Sequence, residues 1–275
     1  MNPDGSINLK AIEGQADFIY SQGVRSIFIC GTTGEGMSLT VNERKDIARR
    51  WVEVASSELN VLVHVGHTSI EDCKSLAAHA QKIGAAAVGA MAPCFYKPDT
   101  VEALVQFCAQ VAQAAPDLPF YYYHMPSMTG VHVPMIRFLE HAKGRISNLG
   151  GIKYTHEDLM DYQLCLNFED GIFDMLFGRD EILLCSLSLG ARGAVGSTYN
   201  FAAPLYLKII EAFEQGDLNT ARKFQKEAID LIQFINRGPG PFNSVGKAIM
   251  KILGIDCGPV RLPLVPARRQ APHAP

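Results

Sequence analysis

Several things are scarce in this chain of 275 residues. No apolar run reaches the roughly 18 residues that would suggest a membrane span, because Gly, Pro or charge interrupts each one. There is no basic patch and no long run of like charge, and the formal net charge is only −3. That balance argues against a nucleic-acid partner or a charged interaction tail. The seven cysteines (Cys30, Cys73, Cys94, Cys108, Cys165, Cys185 and Cys257) are scattered, odd in number and form no CxxC pair. Most stand in apolar runs, which predicts reduced core residues of a cytoplasmic protein rather than a disulfide framework. The first residues, MNPDG, are polar and unlike a secretory leader. No Gly-rich dinucleotide fingerprint follows an early strand, and the one glycine-rich loop lacks the Lys-Ser/Thr ending of a phosphate loop.

What is present is a 48% hydrophobic composition, enough for one large domain or two ordinary ones. Short β-rich runs recur at Val24–Cys30, Val61–Gly66, Ala87–Ala92, Pro119–His124, Asn148–Lys153, Ile172–Phe177 and Gly193–Ser197, with starts 21–37 residues apart. Helix-patterned segments lie between them. Thr40 with Glu43 and Thr68 with Glu71 read as capping boxes before 44–57 and 72–83. Asp99 to Glu102 opens 103–115, and Thr155 to Asp158 opens 159–168. Such alternation predicts right-handed βαβ units on a parallel sheet, and the regular spacing fits an α/β fold of the (β/α)8 barrel type better than a doubly wound sheet. After Asn200 the alternation stops. Segments 204–215, 218–235 and 245–253 all read as helices, the last after a GPGP turn at 238–241. The expected organisation is a barrel over 1–217 and a helical appendage over 218–275, with a disordered tail from Pro266.

In such a barrel, chemistry collects at the C-terminal ends of the strands. Lys153 stands near the end of the run NLGGIKYT at 148–155, and Tyr123 ends the run PFYYYHMP at 119–126. Most lysines at strand ends simply extend to water. A buried one loses hydration, which lowers its pKa and frees the amine to attack a carbonyl. A tyrosine at the matching end of the preceding strand is placed to move protons for it. The loop GTTGEG at 31–36 offers close backbone approach, amide donors and the hydroxyls of Thr32 and Thr33, a set suited to a carboxylate, though an ordinary strand-to-helix turn looks much the same. GRDE at 178–181 sets Asp180 and Glu181 beside the same end, where a helix start rich in acids is the commoner explanation. GSTYN at 196–200 closes the last run. His64 and His67 are three apart, which on a strand end points them to opposite faces, and no carboxylate set accompanies them, so a metal site is not expected.

Taken together these motifs resemble the pyruvate-dependent class I aldolase family that includes N-acetylneuraminate lyase and dihydrodipicolinate synthase. One family signature matches the GTTGE loop with Glu43 downstream. The other matches Tyr123 to Pro126 followed by Gly151 to Thr155, and the likeness continues to RLP at 261–263. The resemblance implies a barrel with a C-terminal helical segment, a homotetramer, and reversible cleavage of N-acetylneuraminate to N-acetylmannosamine and pyruvate. Lys153 is then the imine-forming residue, and Tyr123, assisted by Thr33, carries the proton. Thr32 and Thr33 hold the carboxylate, while Thr155, Gly178, Asp180, Glu181, Gly196 and Ser197 hold the sugar-acid chain. No metal or organic cofactor is implied, because the imine on Lys153 is the electron sink. Synthases of the family carry an arginine five residues after the tyrosine to grip a second carboxylate. Met128 stands there, against a semialdehyde substrate.

Two departures accompany the resemblance. The chain starts inside the turn that follows the family's first strand, so that strand is expected to be missing from the barrel and to leave an open edge. A tyrosine that some members send into a neighbouring subunit aligns with Phe95, next to Tyr96. Another 2-keto-3-deoxy sugar-acid aldolase, or an inactive homologue acting through subunit association, are the alternative readings.

Overall fold

A computed structural model describes residues 1–267. The chain divides into two compact units, one of residues 26–196 and one of residues 1–25 with 197 onward. The larger unit alternates strand and helix: β1 (Ser26–Ile29), α2 (Val41–Val54), β2 (Asn60–His64), α3 (Ile70–Lys82), β3 (Ala87–Met91), α4 (Val101–Gln113), β4 (Phe120–His124), α5 (Pro126–Thr129), α6 (Met135–Ala142), β5 (Leu149–Tyr154), α7 (Leu159–Asn167), β6 (Asp174–Phe177), α8 (Leu183–Leu189) and β7 (Gly193–Ala194). The smaller unit holds α1 (Ala11–Ser21), α9 (Tyr199–Glu214), α10 (Leu218–Asn236) and α11 (Phe242–Ile252).

All seven strands are parallel and pair in sequence order from β1 to β7. The sheet is curled. In a flat sheet β1 and β5 would lie about 19 Å apart, four strand spacings of about 4.8 Å. Yet the Lys153 ammonium of β5 sits 4.4 Å from the Phe28 ring centroid of β1. Tyr121 of β4 likewise donates to Asp174 of β6 at 3.1 Å. Only a sheet rolled toward its own inner face brings those side chains together.

The period-two alternation of strands then sorts each residue. Tyr121, Tyr123 and Lys153 face inward. Val61, Val63, Val88, Ala90, Tyr122, Ile152, Tyr154, Met175 and Phe177 face the helices and are buried. The helices answer with stripes at helical spacing: Cys73, Leu76, Ala77 and Ala80 on α3, and Leu104, Val105, Cys108, Val111 and Ala112 on α4. Each large aliphatic side chain so buried contributes about 1.5–3 kcal/mol before entropy is counted.

Several helix starts differ from expectation by a residue or more. The Thr40–Glu43 capping box is fully formed. The α3 cap is Ser69, whose hydroxyl accepts from the Asp72 N–H, rather than Thr68 with Glu71. Thr100 caps α4, which starts at Val101 rather than at residue 103, whereas α7 starts at Leu159 as expected, capped by Asp158. In each case the side chain nearest the first free N–H wins. Helices α1, α6 and α8 had no clear signal. For α6 the reason is visible: its own cap position is Pro134, and its first amides, of Met135 and Ile136, are satisfied by Asp161 of α7 at 2.8 and 3.1 Å. The strands expected at 172–177 and 193–197 shrink to Asp174–Phe177 and Gly193–Ala194. Helix α9 starts at Tyr199 and contains Pro204, with a break in helical geometry at Ala202 that accommodates the missing proline donor.

In the smaller unit the first residues meet the segment after α11. The Met1 ammonium donates to the Cys257 carbonyl at 3.0 Å, and Arg261 donates to the Gly5 carbonyl at 2.6 Å. The expected boundary at 217 falls between α9 and α10. The tail from residue 268, part of the expected disordered end, lies outside the described residues. All seven cysteines are free. Cys30, Cys73, Cys108 and Cys165 are buried, whereas Cys185 is exposed. Among the described residues no helix is long and apolar enough to cross a membrane, and no group of three or more metal-capable side chains gathers.

Candidate active site

Inner side chains of β1 and β4 meet Lys153 of β5 at one end of the sheet. Tyr123 and Lys153 are register partners across β4 and β5. The Lys153 ammonium lies 4.1 Å from the Tyr123 ring centroid and 4.4 Å from that of Phe28. Ring faces attract a cation but replace little of its hydration. Desolvation therefore dominates and pushes the Lys153 pKa down to about 7, against the opposing pull of the Asp180 carboxylate. At neutral pH a large fraction of this lysine is a free amine, the form a carbonyl accepts.

The Tyr123 hydroxyl lies 3.2 Å from the Thr32 hydroxyl and 3.1 Å from the Met125 sulfur. Burial raises its pKa, with the Thr32 hydrogen bond pulling the other way. The phenol is thus protonated at neutral pH, and it moves a proton by passing its own along as it takes another. Thr32 reaches it from a tight turn. The Glu35 amide bonds the Thr32 carbonyl at 3.1 Å, and the Gly36 amide bonds the Gly31 carbonyl at 3.1 Å. Two non-glycine residues flank this turn in the left-handed region, Cys30 at φ 56° and Glu35 at φ 53°. Each costs about 1–2 kcal/mol, held in place by its surroundings. Thr33 is half-buried in the same turn, but the hydroxyl placed against Tyr123 is that of Thr32.

Across the site, ladder bonds run one residue past the strands. The Thr155 amide meets the His124 carbonyl at 2.8 Å, Gly178 meets Tyr154 at 2.7 Å, and Val195 meets Phe177 at 2.8 Å. This brings Thr155, Gly178, Asp180 and Gly196 together. A methyl group on Gly178 would overlap the Thr155 hydroxyl, and one on Gly196 would overlap the Asp180 carboxylate. The two glycines therefore let polar groups pack where any side chain would displace them. Asp180 is 5% exposed. The Thr155 hydroxyl is buried beside Tyr123, close enough to pull the phenol's pKa down together with Thr32, and makes no other hydrogen bond among the described residues. Glu181 is more open and pairs with Arg179 at 3.7 Å, and Arg179 also pairs with Glu157. Ser197 opens the other compact unit, where its carbonyl accepts from the Asn200 side chain at 2.9 Å. Phe95 and Tyr96 stand exposed after β3 as an edge-to-face pair 5.0 Å apart, and Met128 is exposed on α5.

Three participants had no motif of their own: Phe28, His64 and Arg44. Alternation back from Ile29 puts Phe28 on the inner face, which is the one signal that was available. His67 has only local contacts, its Nδ1 accepting from the Ser69 amide at 3.0 Å.

The site sets a buried lysine amine against two aromatic rings at the C-terminal ends of a parallel, curled α/β sheet. The chain belongs to the dihydrodipicolinate synthetase family, whose model matches residues 1–274. It is 44% identical over 269 residues to N-acetylneuraminate lyase A of Xenopus laevis, covering 96% of this chain and 87% of that one. Among solved structures it is similar to N-acetylneuraminate lyase of Proteus mirabilis, at 40% identity and TM-score 0.94, covering 98% of this chain and 90% of the other. The sialic acid aldolase of Aliivibrio salmonicida matches at 43% identity and TM-score 0.93, with 98% and 88% covered.

Proposed function

We propose that the protein is a carbon–carbon lyase that cleaves N-acetylneuraminate reversibly to N-acetylmannosamine and pyruvate through an imine on Lys153. The observation that carries the reading is the Lys153 amine, brought near neutrality by burial and standing in register with Tyr123. The relatives named above, all lyases or aldolases of this sugar acid, supply the substrate class.

The neutral amine attacks the C2 ketone, and loss of water gives the protonated imine. Tyr123 takes the C4 hydroxyl proton while its own passes to the substrate carboxylate, directly or by relay through the Thr32 hydroxyl, which gives up its own proton as it accepts another. The C3–C4 electrons flow into the imine, so N-acetylmannosamine leaves as the aldehyde and an enamine remains. The enamine gains a proton at C3, and hydrolysis returns pyruvate and the free lysine. Thr32, Thr33 and the amides of their turn hold the C1 carboxylate. Thr155, Asp180, Glu181 and Ser197 take the polyol hydroxyls, and Gly178 and Gly196 leave room for the chain. The reaction needs no metal or organic cofactor, since the imine accepts the electron pair. The same reading takes the sheet as the wall of a (β/α)8-type barrel and the protein as a cytoplasmic homotetramer.

The test is borohydride reduction with pyruvate followed by peptide mass mapping, alongside an assay for N-acetylneuraminate cleavage. One reduced adduct on Lys153 together with cleavage is expected. A folded protein with no adduct, or an adduct on another lysine, overturns the mechanism, and an adduct without cleavage overturns the substrate.

A further inference from the structure

His64 is 1% exposed, and the reaction outlined above gives it no role. Its surroundings fix it in one state. The Met91 amide donates to its Nε2 at 3.4 Å, so that nitrogen carries no proton. The proton is then on Nδ1, which donates to the Cys30 carbonyl at 3.1 Å, and the Arg44 guanidinium, 3.3 Å from the same nitrogen, is a contact there and not a hydrogen bond. Arg44 of α2, also 1% exposed, donates to the His64 carbonyl at 2.6 Å and to the Gly66 carbonyl at 2.9 Å. Desolvation first, then the nearby charges of Arg44 and Lys153, holds the His64 pKa well below the usual value and keeps the ring neutral. A second proton would also break the bond from Met91, since Nε2 could no longer accept it.

Those bonds tie the ends of three strands: Cys30 after β1, His64 on β2 and Met91 on β3. The ring then meets two others. The centroid of His64 is 5.7 Å from that of Phe28 at 73°, and 5.9 Å from that of Tyr123 at 89°. Phe28 and Tyr123 are themselves 5.5 Å apart at 86°. All three contacts are edge-to-face, the arrangement aromatic rings prefer. Phe28 and Tyr123 are the two rings that face the Lys153 ammonium. Cys30, the left-handed residue that begins the turn carrying Thr32, is gripped through its carbonyl.

We propose that His64, locked by Arg44, Cys30 and Met91, is a positioning residue that sets the Tyr123 ring and the Thr32 turn relative to Lys153. It touches no reacting atom. It governs the proton transfers that follow imine formation and leaves the imine itself unaffected. The inference rests on the imine mechanism above but not on the identity of the sugar.

Two readouts separate those steps. Borohydride trapping of pyruvate reports the imine. Deuterium uptake into the pyruvate methyl group in D2O, followed by NMR, reports the further loss of a C3 proton and gain of a deuteron, and requires no sugar. In His64→Leu, trapping should stay within about twofold of the parent while exchange per trapped imine falls about tenfold or more, since small misplacements of a proton carrier cost rates of that order. His64→Asn, which keeps an N–H for the Cys30 carbonyl, should recover to within about threefold of the parent. Arg44→Lys, which keeps the charge but loses the forked grip, should show the same split and decides the question alone if His64→Leu does not fold. Exchange per imine within about twofold of the parent in folded His64→Leu or Arg44→Lys overturns the proposal. Trapping that falls in step with exchange, or no recovery in His64→Asn, also overturns it. A parent that exchanges pyruvate but does not cleave N-acetylneuraminate sinks the substrate reading and leaves this test intact.

Discussion

Tyr123 and Lys153 sit opposite each other on β4 and β5, and the lysine ammonium lies 4.1 Å from the tyrosine ring centroid. Parallel pairing on one inner face makes that contact a matter of register. A one-residue slip of β5 would send Lys153 among the helices and bring Tyr154 into the site.

Replacing Tyr123 by Phe keeps the ring that covers the lysine and removes the hydroxyl bonded to Thr32. Borohydride trapping should persist while cleavage falls by about 10² or more, the usual loss for a positioned acid/base group. A kcat near that of the parent would take Tyr123 out of the proton path.

The depressed Lys153 pKa gives a pH signature. The amine is protonated below about 7 and free above it. The rate of imine trapping at limiting pyruvate should therefore rise through an apparent pKa near 7 and level off on the alkaline side. An ordinary lysine would still be rising toward about 10.4. A midpoint above pH 9 would show that the side chain is not desolvated as described.

The Asp180 carboxylate and Gly196 form one unit, since a methyl on the glycine overlaps the carboxylate. Asp180→Ala should raise KM for N-acetylneuraminate about tenfold or more, in line with losing a charged hydrogen-bond acceptor, and leave pyruvate binding nearly unchanged. Gly196→Ala should act in the same direction by displacing Asp180. Equal losses toward both ligands would remove Asp180 from sugar-chain recognition.

Helix α2 delivers Arg44 beneath the site, and its start is fixed by Thr40 and Glu43. Thr40→Ala should cost about 1 kcal/mol, read as a lower denaturant midpoint at unchanged slope. A change below about 0.3 kcal/mol would mean that water or a neighbouring group satisfies the freed amide as well.

Part of this candidate site is legible in the sequence. Lys153, Tyr123 and Thr32 announce themselves because strand ends, glycine turns and a buried lysine are local patterns with few explanations. Thr33 and Thr32 look alike in sequence, and only the turn geometry puts the Thr32 hydroxyl on Tyr123. His64 shows nothing of its surroundings in the sequence, because a histidine on a strand gives no hint of what its ring will meet. The start of α6 was hidden for a related reason. Its cap, Asp161, lies 26 residues after Met135, beyond any window in which a capping pattern can be recognised.

The sequence by itself determined the order of the seven strands, the helices α2, α3, α4, α7, α9, α10 and α11 among them, and the presence of a lysine at a strand end. These follow from short-range periodicity, which a linear chain displays openly. The curl of the sheet decided the rest. It set Phe28 of β1 against Lys153 of β5, let Asp180 pack on Gly196, and closed the ring of Phe28, His64 and Tyr123. The lysine's pKa near 7 comes from that enclosure, because desolvation depends on what surrounds a charge in three dimensions and not on its neighbours along the chain.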